Sequence, residues 1–129
     1  WGGGYVGAYG GYMLGPNAMQ AGAQAGYNFV SGNLLLGAEL QAGAIFAGPA
    51  VFDGGFNLRA GKILGTSILL YAETGIGTIG FGTFTYAFGG GAEFAVGNAA
   101  SLFVETKGLG SFGGGCCAIA IQTGLNWHL

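Results

Sequence analysis

The feature that most constrains this chain is a two-residue alternation. From Met19 onward one parity reads Met19, Ala21, Ala23, Ala25, Tyr27, Phe29, and the other reads Gln20, Gly22, Gln24, Gly26, Asn28. Successive side chains of a strand point to opposite faces, so this stretch is a strand with one apolar and one polar face. The same period returns after Ser31-Gly32-Asn33, where Leu34, Leu36, Ala38 and Leu40 stand against Gly37, Glu39 and Gln41. It returns again with Phe56, Leu58, Ala60 against Asn57, Arg59, Gly61, and with Leu70, Ala72, Thr74 against Tyr71, Glu73, Gly75. Phe84, Tyr86, Phe88 and Phe94 oppose Gly89, Gly91 and Glu93, while Leu102, Val104 and Thr106 oppose Phe103, Glu105 and Lys107. The last stretch sets Ile119, Ile121, Leu125, Trp127 and Leu129 against Gln122, Gly124, Asn126 and His128. An eighth segment, Gly4 to Leu14, is rich in Gly and Tyr and has the least clear parity.

Residues 1–38 carry no charge, which raises the possibility of a membrane helix, but they hold eleven glycines, each costing about 1 kcal/mol in a helix interior. Strands remain. Eight of about ten residues, joined by turns, are the pattern of a closed transmembrane barrel, in which every backbone N–H and C=O is satisfied inside lipid. Composition agrees, since charged residues are 6% of the 129 against roughly 25% in a soluble domain. The expected fold is therefore all-β, an eight-stranded antiparallel up-and-down transmembrane β-barrel, with one domain over 1–129. With both termini on the periplasmic side, short turns fall near 31–33, 65–67 and 97–100. The outward connections fall near 15–18, 47–55, 79–83 and 109–116, with Asp53 as their only acid.

Glu39, Arg59, Glu73, Glu93, Glu105 and Lys107 all lie on the polar parity, about 4–8 residues from a predicted periplasmic turn, hence at similar depth in the interior. An internal ion network is the expectation, because buried charges are normally paired. A catalytic carboxylate pair or a proton path is the sharper alternative. Inward Gly and Ala of the first, sixth and eighth strands would leave a gap beside these charges. His128, the only histidine, sits at the periplasmic rim without the partners of a metal site or of a Ser-His-Asp set, so no catalytic or metal residues and no cofactor are expected. Gly75-Ile-Gly-Thr-Ile-Gly80 has nucleotide-loop spacing, but no helix pattern follows, and three cations in all give no footprint for nucleic acid. Cys116 and Cys117 are read as free thiols or a disulfide, the latter including an intermolecular one. Tyr12, Tyr27, Phe29, Phe46, Phe84 and Trp127 near strand ends suit membrane-interface girdles, and Lys62 on the lipid parity can snorkel to headgroups.

The stretches Tyr86–Val96 and Ser101–Lys107 resemble the sixth and seventh strands of the OmpA/opacity-like porin-family barrels, and Ala21–Asn28 is similar to their second. The ending, with Gln122, Gly124, Trp127 and Leu129, resembles the C-terminal β-signal read by the barrel-assembly machinery, although that family usually ends in Phe where this chain has Leu129. The resemblance implies an integral protein of the bacterial outer membrane, exported through a removed signal peptide. It also supports an inward cluster of Glu, Arg and Lys. The lumen of so small a barrel is filled by side chains. The expected role is structural: anchoring or stabilising the outer membrane, or serving as a membrane-embedded subunit of a larger assembly. A narrow channel or transporter is the alternative, and recognition through the outer loops a third reading. Expected partners are outer-membrane lipids and lipopolysaccharide, the assembly machinery during biogenesis, and a second copy or another membrane protein.

Overall fold

The structure is a computed structural model that describes the chain except residues 16, 47, 81, 114 and 115 and the side chains of Cys116 and Cys117. The cysteine expectation therefore lies outside the described residues. Each alternating segment forms one strand: β1 (Gly3–Leu14), β2 (Ala18–Ser31), β3 (Leu34–Phe46), β4 (Ala50–Leu64), β5 (Ile68–Ile79), β6 (Thr83–Ala95), β7 (Ala100–Ser111) and β8 (Cys116–His128). Consecutive strands pair antiparallel, and β8 returns to β1 with Tyr5 opposite His128 and Leu14 opposite Ile119. The sheet closes, so no edge strand is left. Both termini lie at one end with the β2–β3, β4–β5 and β6–β7 turns; the remaining connections lie at the opposite end. Gly32, in the left-handed region at φ 62°, makes the two-residue β2–β3 turn.

The connections at the opposite end are shorter than the turn residues suggest. The expected 47–55 loop is a turn only up to residue 49, because Ala50 to Gly55 pair with β3 and β5, Gly54 opposite Thr78 and Gly55 opposite Gly77. A Gly-Gly step read as a loop is here a stretch of wall. Asp53, expected in that loop, is half-buried in β4 between Gly43 and Ile79. The β7–β8 connection contracts likewise, since β7 continues to Ser111 and β8 begins at Cys116, with a register shift between Leu109 and Gly110.

Burial alternates along the strands. In β7, Ser101, Phe103, Glu105 and Lys107 are buried while Leu102, Val104 and Thr106 are exposed. The polar parity thus faces the lumen and the apolar parity faces out. β1, ambiguous in sequence, turns Tyr5, Gly7, Tyr9, Gly11 and Met13 inward. The two large phenols fit because β2 offers no side chain opposite them. A Cβ at Gly26 would sit 2.5 Å from the Tyr5 hydroxyl, and one at Gly22 would sit 2.6 Å from that of Tyr9.

Candidate functional site

The buried polar and charged side chains of the described residues face the lumen, and their charged belt is the candidate site. Arg59 projects from β4 with Nη2 2.8 Å from Glu93 Oε2 on β6 and Nη1 3.8 Å from Glu39 Oε2 on β3. Its guanidinium lies between two rings, 4.6 Å from the centroid of Tyr71 and 5.3 Å from that of Tyr5. Lys107 on β7 forms a second triad, with Nζ 3.1 Å from Glu73 Oε1 and 3.4 Å from Glu105 Oε1. All six residues of the expected network are buried and all six are ion-paired. Inward parity supplies the direction of each side chain, and the β4–β5 register, which sets Arg59 opposite Glu73, supplies the common depth.

Neutral side chains join the two triads into a ring. Lys107 Nζ donates to Gln41 Oε1 at 2.9 Å, Gln41 Nε2 to Gln24 Oε1 at 3.0 Å, and Gln24 Nε2 to Asn126 Oδ1 at 2.7 Å. Asn126 Nδ2 then donates to Glu93 Oε1 at 2.9 Å, which leads back to Arg59. On the other side the Tyr71 hydroxyl donates to Glu105 at 2.7 Å while its ring carries the Arg59 guanidinium. Tyr5 adds β1 through a 2.6 Å hydrogen bond to Glu39. Every strand contributes a member. Buried polar groups need such partners, and the ring supplies them to most of its members, while Arg59 Nε, both Glu73 carboxylate oxygens and Glu105 Oε1 have no hydrogen bond among the described residues.

Sequence reasoning missed Tyr5, Gln24, Gln41, Ser101 and Asn126 as members of this network. The parity of β2, β3 and β8 marked three of them as inward, but pairing across the lumen depends on strand tilt and closure. His128 is a second correction, because it does not lack a serine and an acid. Nε2 lies 2.8 Å from Ser101 Oγ and 3.6 Å from Glu93 Oε1, and its ring stands beside Trp1 and Tyr5. The arrangement is nevertheless not a nucleophilic triad. The Ser101 hydroxyl donates to Glu93, and His128 Nδ1, where a triad acid would bind, has no partner among the described residues. Among those residues no three metal-capable side chains converge.

Apolar clusters flank the belt at both ends. Leu35, Leu69 and Tyr71, with Trp1 and Ile63, fill the end that carries the termini. Met13, Ala18, Ile45 and Ala120, with Ile79, Leu109 and Ala118, pack at the opposite end. The gap expected beside β1, β6 and β8 is filled at β1 and β8: a Cβ at Gly7 would strike the Asn126 carboxamide, and one at Gly124 would sit 2.8 Å from the Phe103 ring. Space remains at β6, beside Ala87, and extends along β4 and β5 beside Gly55 and Gly77. Outside, Tyr12, Tyr27, Phe29, Phe46, Phe84 and Trp127 all face away from the lumen, and Lys62 is exposed one turn from the β4–β5 connection. The β-signal residues divide between faces, with Gln122 and Gly124 inward and Trp127 and Leu129 outward.

No protein-family model and no curated protein matches this sequence. Solved structures do. A de novo designed transmembrane β-barrel is similar with a TM-score of 0.77 at 18% identity, over 98% of this chain and 94% of that one. Neisserial surface protein A gives 0.71 at 11% identity, over 98% and 97% of the two chains. Ail, the attachment invasion locus protein of Yersinia pestis, gives 0.62 at 10% identity, over 98% and 99%. These likenesses establish the architecture, a closed eight-stranded antiparallel barrel of the kind that crosses membranes with strands.

Proposed function

We propose that this protein is a structural barrel of the bacterial outer membrane whose lumen does not conduct, anchoring or stabilising the membrane or forming the embedded part of a larger assembly. The observation that carries this reading is the ring from Lys107 through Gln41, Gln24, Asn126, Glu93 and Arg59, which spans the lumen with an apolar layer beneath it at the termini end. A solute crossing the lumen would have to break these buried ion pairs. The outer wall supports membrane placement, because its large side chains are apolar and Lys62 is the one charged residue among its described positions. Strands of 12–15 residues, rising about 3.3 Å each and tilted about 45°, cover an apolar band of about 25 Å.

The termini end corresponds to the periplasmic side, with Gln122, Gly124, Trp127 and Leu129 read by the assembly machinery and a signal peptide removed on export. The OmpA/opacity-like resemblance supports this orientation. Lipids and lipopolysaccharide surround the wall, and its small outward residues, Ala8, Ala23 and Ala42 in register across β1 to β3, suit close packing against a second copy or another membrane protein. A narrow channel is the competing reading, favoured by the space along β4 to β6, but Lys107 borders that space and is itself locked into the ring. Recognition through loops has little to work with in connections of two to four residues. Exported into a Gram-negative host, the protein is expected in the outer-membrane fraction and to migrate faster on gels unheated than boiled. Recovery in the soluble fraction, or identical mobility, contradicts the reading.

A further inference from the structure

Between the charged ring and the apolar layer at the opposite end lies a chamber of about 50 Å³. It exists because β4, β5 and β6 turn glycine and alanine inward where the facing strands turn glutamine and methionine, so the layer of Met13, Ala18, Ile45 and Ala120 covers one side only. Asp53, Thr78 and Ile79, all half-buried, form its upper wall, and Lys107 lies at its floor.

Four side-chain atoms that line the chamber are buried without a hydrogen-bond partner among the described residues: Gln20 Nε2, Asn57 Nδ2, Gln122 Oε1 and Asp53 Oδ1. Gln20, Asn57 and Gln122 are each only 4% exposed. An unpaired buried amide is costly, and these atoms come from β2, β4 and β8, too widely separated around the wall to be an accident of one side chain's rotamer. Donors and acceptors are present in equal number, and no described lining residue other than Lys107 and Asp53 is charged, so the chemistry fits a neutral molecule that both donates and accepts. A cavity needs about 10–15 Å³ to hold a water, so the chamber has room for water.

We propose that this chamber is a binding site for a small cluster of ordered waters, reached from the end opposite the termini, that completes the hydrogen bonding of Gln20, Asn57, Gln122 and Asp53. It hydrates the Lys107 side of the ring. The inference concerns the interior and holds whatever the role of the barrel in its membrane.

The test is magnetisation transfer from water to side-chain amides, measured in the rotating frame on the isotope-labelled full chain in detergent micelles, where the sign separates direct contact from proton exchange. Direct water contacts are expected at the Asn57 and Gln20 carboxamides and not at that of Asn126, which is wholly buried and bonded to Glu93. Ala87→Val places carbon into the chamber and should reduce the Asn57 signal at least twofold. No contact at Asn57 and Gln20 overturns the proposal, as does equal contact at Asn126 or an Asn57 signal that Ala87→Val leaves unchanged. Should Ala87→Val fail to fold, the wild-type spectrum decides alone.

Discussion

Arg59→Ala tests the charged ring where it bears most. Arg59 is 3% exposed, and its guanidinium pairs with Glu93 and Glu39 and lies between the rings of Tyr5 and Tyr71. Removing one partner of a buried ion pair costs about 3–5 kcal/mol, chiefly because the other charge stays buried. Glu93 keeps its bonds from Ser101 and Asn126, and Glu39 keeps the Tyr5 hydroxyl, so the loss belongs near the lower figure. With a urea dependence of about 2 kcal/mol per molar, a loss of about 3 kcal/mol moves the unfolding midpoint down by about 1.5 M. The assay is urea unfolding in lipid vesicles, followed by gel mobility, beside Lys62→Ala, whose side chain is exposed and whose midpoint should match wild type. Replacing Arg59 and Glu93 together by glutamine removes both charges and should recover more than half of the loss. If Arg59→Ala and Lys62→Ala unfold at the same urea concentration, water already solvates the belt and the reasoning fails.

Gly26→Ala should destabilise by about 1–3 kcal/mol in the same assay, because its Cβ would meet the Tyr5 hydroxyl at 2.5 Å and the Ala38 carbonyl at 2.6 Å. Gly82→Ala meets nothing within 4 Å and should leave the midpoint unchanged; equal effects would refute the packed lumen. Leu129 is 85% exposed, so Leu129→Asp removes no packing and should lower the yield of membrane-inserted barrel without changing the urea midpoint of what inserts. Gly124→Asp should lower both, since its side chain would collide with Phe103; normal insertion of both variants removes the β-signal assignment.

Parity made most of this molecule legible in the sequence, because a strand has only two faces and the lipid face tolerates almost no charge. Glu39, Arg59, Glu73, Glu93, Glu105 and Lys107 could be placed inside without coordinates, and the structure pairs every one of them. Which residue meets which was not legible, since Asn126 reaches Glu93 from 33 residues away only after β8 has closed on β1. Glycine hid the rest. In β1 it occupies both parities, which obscured Tyr5 and Tyr9 as the residues that fill the lumen opposite Gly26 and Gly22. In β4 the Gly54-Gly55 step carries the turn signal of a loop, yet its backbone hydrogen-bonds into the wall like any other pair. Of the space expected beside β1, β6 and β8, Asn126 and Phe103 fill the part at β1 and β8, while the part at β6 remains and extends along β4 and β5.

Closure of the lumen by the charged ring is tested by ionic current through planar bilayers into which the purified barrel has been inserted. A flat baseline at either polarity is expected for the wild type. Reproducible stepwise openings of one unit size, from protein shown to be inserted and heat-modifiable, would contradict it.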